Sequence, residues 1–314
     1  MRALVNRGRV AETTRNEELQ TMLGAHVSTS GGIDKSPANG AALGCEAIQI
    51  FTRNQRQWHA APLDPKIARR FRDERDRHGI QSAIAHGSYL FNLAGSGRTL
   101  ALSREGLVDE WDRAEALGLD GVVLHPGSHL GQGVEEGVAR VVASLDAVAQ
   151  ERPRYRTPIL LETTAGQGSN LGASFEEIRA MLDGVKRAEH FGVCIDTAHL
   201  FAAGYDLRTE RATAEVLDSF DRIVGLDRLR AIHLNDSKVP RASRVDRHEN
   251  LSHGKIGLGA FRCLVNDPRL KKLPMVLETP GGDDGYRNDL RILRGLERKR
   301  RRPLAKKPKA IPRA

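Results

Sequence analysis

The sequence predicts a single α/β domain, a closed (β/α)8 TIM barrel of eight parallel strands. Three observations predict it. Short apolar runs alternate with longer charged stretches of helical spacing, the pattern of a parallel sheet. Eight such runs fit within roughly 250 residues, the size of one closed barrel. Six of them finish on, or next to, a side chain that can bind metal. Barrels carry their chemistry at the C-terminal ends of their strands.

The runs follow in order. MLGAHV (22–27) and AIQIF (47–51) open the pattern. QSAIAH (81–86) ends on His86, GVVLH (121–125) on His125, PILLE (158–162) on Glu162 and FGVCID (191–196) on Asp196. RAIHL (230–234) carries His233, and PMVLE (274–278) ends on Glu278. Helical spacing fills most gaps, at 66–78, 104–117, 135–150, 175–185, 212–224 and 286–300. No internal linker divides residues 22–297. Two residues before each terminal group stand Ile84, Val123, Leu160, Cys194, Ala231 and Val276. Period-two alternation puts them on the same inward face, one layer deeper. Cys194 therefore reads as a buried core thiol.

A charged or imidazole group ending an apolar strand is costly when buried alone. Six on successive strands point into one cavity. His199 follows Asp196 by three residues, and Asp246 and His248 lie two apart in a charged loop after the seventh run. The candidate set is then five histidines, two aspartates and two glutamates. Imidazole and carboxylate donors without thiolate suit catalytic Zn²⁺, with Mn²⁺ or Fe²⁺ as substitutes. Nine donors suit two or three ions if a carboxylate bridges. Such a cluster clamps a phosphodiester and activates water, so no covalent nucleophile is needed. Taken singly, His199 also reads as a capping or surface residue, and Asp246 and His248 as loop residues. His26 reads as a ligand or as a donor behind one. His78, His190 and His253 read as surface or loop residues. The loops GSHLGQG (127–133), TAGQGSNLG (164–172) and FTRNQRQW (51–58) offer backbone and amide donors to phosphates, or are simply tight turns.

Composition narrows the class. The formal charge of +9 resides in residues 298–314, where nine Lys and Arg occur with no acid. That tail reads either as a contact to phosphate backbones or as a solvated segment. Residues 1–21 are polar and read as a disordered extension or as sequence before a true start at Met22. They lack the apolar core of a secretory signal. Three scattered cysteines argue against a disulfide framework or a cysteine-only zinc site and fit a reducing compartment. No apolar run reaches membrane-spanning length, and no phosphate-binding P-loop is present.

Nine stretches together resemble the endonuclease IV family of abasic-site endonucleases. They are GAHVSTSGG (24–32), FTRNQRQW (51–58), HGSYLFNLA (86–94), LHPGSHLG (124–131), LETTAGQGSNLG (161–172), VCIDTAHLFAAGYDLR (193–208), IHLNDSK (232–238), SRVDRHENL (243–251) and VLETP (276–280). The resemblance implies a TIM barrel with DNA-binding loops at the C-terminal face and a trinuclear zinc centre. By motif, His86, His125 and Glu162 hold the first ion. Glu162, Asp196, His233 and Glu278 hold the second, and His199, Asp246 and His248 the third. The implied reaction is hydrolysis of the phosphodiester 5′ to an abasic site by a metal-bound hydroxide, leaving a 3′-hydroxyl and a 5′-deoxyribose phosphate. Glu278 and Glu162 carry the catalytic roles. Arg56, Tyr89 and Leu90 match the positions that fill the gap left by the missing base. The implied partner is double-stranded DNA containing abasic sites, met by a monomer in the cytoplasm at the nucleoid. Gly87 stands where family members often carry Asp. Two other readings remain. A divalent-metal sugar isomerase or epimerase shares the Glu162, Asp196, His233, Glu278 set, and a non-catalytic DNA-binding protein would rely on the basic tail.

Overall fold

The chain is described by a computed structural model, which covers residues 21–298. Apart from residues 21 and 298, the extension and the basic tail lie outside the described residues. The barrel strands are β1 (Met22–His26), β2 (Ala47–Ile50), β3 (Ser82–His86), β4 (Val122–Leu124), β5 (Ile159–Glu162), β6 (Phe191–Asp196) and β7 (Leu229–His233). A short antiparallel pair follows, β8 (Asp236–Ser237) with β9 (His248–Glu249), and β10 (Pro274–Leu277) completes the ring. All barrel pairings are parallel, in the closed order β1-β10-β7-β6-β5-β4-β3-β2.

The helices are α1 (Ser36–Leu43), α2 (Pro65–Arg77), α3 (Gly97–Leu117), α4 (Val134–Glu151), α5 (Phe175–Gly184), α6 (Thr197–Ala203), α7 (Glu210–Ile223), α8 (Leu258–Asn266) and α9 (Gly282–Leu296). Several starts are written in the sequence. Asp64, Ser174 and Thr209 accept hydrogen bonds from backbone N–H groups of the first turns of α2, α5 and α7. Gly44 and Gly118 end α1 and α3 in the left-handed conformation. An amphipathic stripe seats α7, which buries Thr213, Leu217 and Phe220. Among the described residues, no helix is long and apolar enough to cross a membrane.

The barrel interior holds Ala47, Ile84, Val123, Leu160, Cys194, Ala231 and Val276 in one buried cluster. Six of these are the layer that strand alternation predicts. Burial pushes the Cys194 thiol up to about 11, so it stays protonated in the core. Outside the barrel, a larger aliphatic and aromatic cluster packs the helices on the strands. Gly24 shows how closely β1 and β2 approach. A Cβ there would sit 1.6 Å from the Ala47 carbonyl oxygen. One irregularity separates expectation from structure at the seventh strand. It starts at Leu229, and a register shift between Val193 and Cys194 leaves Arg230 exposed.

Candidate metal centre

The barrel gathers the nine candidate ligands at one end. His86, Glu162, Asp196 and His233 are the last residues of β3, β5, β6 and β7. His125 and Glu278 lie one residue beyond β4 and β10. His199 sits in the first turn of α6, which begins directly after Asp196. Asp246 precedes β9, and His248 opens it.

Three groups of donors result. One is His86, His125 and Glu162, and a second is Glu162, Asp196, His233 and Glu278. The third is Asp196, His199 and His248. Within each group the donor atoms lie within 4.8 Å of one another. Asp246 stands beside the third group, with Oδ2 3.2 Å from His199 Nε2 and Oδ1 3.4 Å from His248 Nε2. The motif assignment joins Asp246 rather than Asp196 to this group. Asp196 comes close because it also caps α6, and its Oδ1 accepts the His199 backbone N–H at 2.8 Å. Asp246 is 41 % exposed, on a loop.

Glu162 faces both sides. Its Oε2 lies 3.2 and 3.1 Å from Nε2 of His86 and His125. Its Oε1 lies 3.0 Å from His233 Nδ1 and 3.2 Å from His199 Nδ1. A carboxylate so divided can bridge two ions. Nε2 of His199 and of His248 are buried without a hydrogen-bond partner, although carboxylate oxygens stand near. Nitrogens at such range from carboxylate oxygens, but without the geometry of a hydrogen bond to them, could share an ion with those oxygens. The residues fit divalent ions on this observation and on their donor chemistry.

Electrostatics agree with a cation-seeking cluster. Burial opposes charge on His86, His199 and His233, but neighbouring acceptors outweigh it and hold all three above their ordinary values. Burial likewise opposes ionisation of Glu162 and Glu278, yet the surrounding imidazoles hold both well below the ordinary carboxylate value. Either protons on these imidazoles or divalent ions can balance the carboxylates.

Supporting groups fix several of the candidate ligands. His199 Nδ1 donates to the Thr163 carbonyl at 2.8 Å. His86 Nδ1 donates to the Gly87 carbonyl at 2.8 Å, so glycine at that position still supplies an acceptor through its backbone. Asn235 Nδ2 donates to Asp196 Oδ2 at 2.7 Å, while its Oδ1 accepts the Glu278 backbone N–H at 2.7 Å. Buried Gln49 contacts His26, His233 and Glu278. His26 is therefore packed behind the ligands, with Phe51 at 4.3 Å between ring centroids. Sequence reasoning missed Gln49 and Asn235. The available signals were a polar residue within the apolar run AIQI and, two after His233, the same-face position in HLN.

The candidate DNA-facing residues rim this end. A cavity of about 230 Å³ opens beside His86 and His125, bordered by Tyr89, Leu90, Asn92 and Ser128. Tyr89 is 60 % exposed, with its ring 5.2 Å from that of His86, and Leu90 is half-buried. Arg56 is exposed, in a turn where its backbone N–H donates to Asn54 Oδ1 at 2.9 Å. Ser88 Oγ donates to the Gln55 carbonyl at 2.7 Å and ties the two loops together. The glycine- and amide-rich loops are less free than their composition suggests. Asn92 exchanges two hydrogen bonds with the Ser128 backbone, and Gln167 accepts the Asp246 N–H at 3.0 Å. Gly127, at φ 117°, permits the first of these ties, because a Cβ there would meet Asn92 Oδ1 at 2.3 Å. One connecting residue is not at the surface. His190 ends a short turn before β6 and is buried because Trp111 on α3 packs against it, with ring centroids 5.4 Å apart.

Fold and site together define a (β/α)8 barrel protein with a clustered imidazole–carboxylate site, a candidate metal centre. A family model described as a xylose isomerase-like TIM barrel matches residues 37–296. A probable endonuclease 4 of Geotalea daltonii is 43 % identical over 286 residues, covering 90 % of this chain and 100 % of that protein. The crystal structure of endonuclease IV from Thermus thermophilus matches with a TM-score of 0.79 and 37 % identity, over 88 % of this chain and 98 % of that one. The chain belongs to the endonuclease IV family of deoxyribonuclease-type hydrolases. A D-tagatose 3-epimerase-like protein is 18 % identical with a TM-score of 0.68, over 88 % of this chain and 97 % of that one, and shares the fold alone.

Proposed function

We propose that this protein is a DNA repair endonuclease that hydrolyses the phosphodiester 5′ to an abasic site. It would leave a 3′-hydroxyl and a 5′-deoxyribose phosphate, using three zinc ions. The observation that carries this reading is the third donor group. Glu162, Asp196, His233 and Glu278 alone would serve a sugar isomerase. His199, His248 and Asp246, with two unpartnered Nε2 atoms, add donors that an isomerase does not need.

His86, His125 and Glu162 would hold one ion, Glu162, Asp196, His233 and Glu278 another, and His199, Asp246 and His248 the third, with Asp196 alongside. Bound there, such ions neutralise phosphodiester oxygens and lower the pKa of water to about 7. The protein supplies the rest. Glu278 holds one oxygen against Gln49 and keeps the other beside His233. In that position it can orient the attacking water and accept its proton. Asn235 fixes both Asp196 and the Glu278 backbone. Tyr89 and Leu90 offer a wedge at the cavity mouth, and Arg56 a planar cation on the adjoining loop. Together they can replace stacking lost at a missing base while the sugar turns outward. The reading carries with it a monomer acting in the cytoplasm, at the nucleoid.

An end-labelled duplex with one tetrahydrofuran abasic analogue tests the proposal. Cleavage on the 5′ side, giving a primer that a polymerase extends, is the expected result. A folded, metal-loaded protein that leaves this duplex intact would overturn it. Glu278→Gln is expected to keep the fold and lose most single-turnover cleavage at saturating DNA.

A further inference from the structure

The second strand contributes no candidate ligand, yet it places one uncharged amide at the centre of the cluster. Gln49 is wholly buried in the run AIQI, where an aliphatic side chain would avoid the desolvation of a polar group. Its Nε2 donates to Glu278 Oε1 at 2.6 Å and to His26 Nδ1 at 3.0 Å. Its Oε1 faces His233 Nε2 at 2.8 Å. The polarity of this chain of bonds is forced. An ionised carboxylate only accepts, so the amide NH₂ must face Glu278. The amide oxygen must then face His233, whose Nε2 carries the proton. Its Nδ1 faces the other side, where Glu162 Oε1 lies at 3.0 Å and Glu278 Oε2 at 3.3 Å, and there an ion would take the place of the Nδ1 proton.

We propose that Gln49 is a positioning residue that sets the tautomer of His233 and turns Glu278 Oε2 toward the second donor group. One side chain thereby aims two candidate ligands from different strands. The proposal rests on the metal centre of the proposed function, and it assigns β2 a part in that centre. A partner fixing the far nitrogen of a ligating histidine commonly changes metal affinity or activity by about 10–100-fold when removed.

Two variants test it. Gln49→Leu keeps the volume and removes every hydrogen bond. Gln49→Glu keeps an acceptor for His233 and loses the donors to Glu278. Zinc retention by the folded protein against a competing chelator is measured without DNA. Then kcat and KM are measured on abasic duplex. Gln49→Leu should weaken retention of one zinc by about 10–100-fold and lower kcat to a similar degree, with KM within a few-fold of the parent. Gln49→Glu should retain zinc and still lose kcat. A packing role alone would lower the melting temperature and leave zinc retention and kcat unchanged, which overturns the proposal. If Gln49→Leu does not fold, unchanged kcat in Gln49→Glu overturns it. A parent protein that cuts no abasic DNA would refute the functional reading, while the zinc measurement would still decide the role of Gln49.

Discussion

His199 shows how a single side chain is fixed by its neighbours. Its backbone N–H is held by Asp196, its Nδ1 by the Thr163 carbonyl, and its Nε2 is left toward Asp246. The same residues predict a pH response of the metal-free chain. His86, His199 and His233 lie above their ordinary value of 6.5, so their contribution to stability is complete below that pH. It is lost as pH rises through their folded-state values. Glu162 and Glu278 lie well below 4.5, so their contribution is present above that pH and lost on acidification through their folded-state values. The melting temperature of chelator-treated protein should therefore fall as pH is raised from about 6.5 into the alkaline range. Zinc-loaded protein should not follow it, because ions replace the protons. Parallel curves for the two forms would count against the cluster as a metal site. At this scale the clustering of the candidate ligands was legible because strand ends give position, and position gives direction. Gln49 and Asn235 were not, because an amide carries no charge or spacing that marks it, and its role appears only once β2, β7 and β10 are brought together.

Among the elements, the loops after β2 and β3 depend on one buried cation. Arg53 donates to Glu110 Oε2 on α3 at 3.0 Å and to the Trp58 carbonyl at 2.9 Å. It also donates to the Gly106 carbonyl at 3.2 Å and lies 5.6 Å from the Phe91 ring centroid. Its fork ties the loop bearing Arg56 to α3, and the same guanidinium lies beside Phe91, next to Tyr89 and Leu90. Lysine keeps the charge and loses the fork. Arg53→Lys should therefore raise KM for abasic duplex about tenfold, of the order expected from losing one or two charge-assisted hydrogen bonds. Its kcat and zinc content should stay near the parent. Unchanged KM would mean that these loops do not need this support. Periodicity revealed the long helices and missed α1, α6 and α8. Those three are short, and α1 contains Pro and Gly while α6 is buried almost throughout. Their amphipathic stripes are too brief or too evenly apolar to read. His190 escaped for a related reason. Its burial comes from Trp111 on α3, far away in sequence.

At the scale of the whole molecule, the closed barrel converts eight separate strand ends into one site, and alternation within the strands fills the floor beneath it. That much was legible because a parallel barrel leaves few choices of inward face. The charge of the molecule is organised differently, since its excess lies in residues 298–314. Deleting that segment should weaken DNA binding and flatten its salt dependence, with the chemical step retained. Loss of single-turnover cleavage by a folded truncation at saturating DNA would contradict this. If nine side chains hold three ions for cutting abasic DNA, cleavage must depend on the third ion. The most direct measurement is zinc titration into chelator-stripped protein, read by single-turnover cleavage of an abasic duplex. Activity should remain low after the second equivalent and reach its plateau with the third. Full cleavage with one or two ions per chain, or none after three are bound, would contradict it.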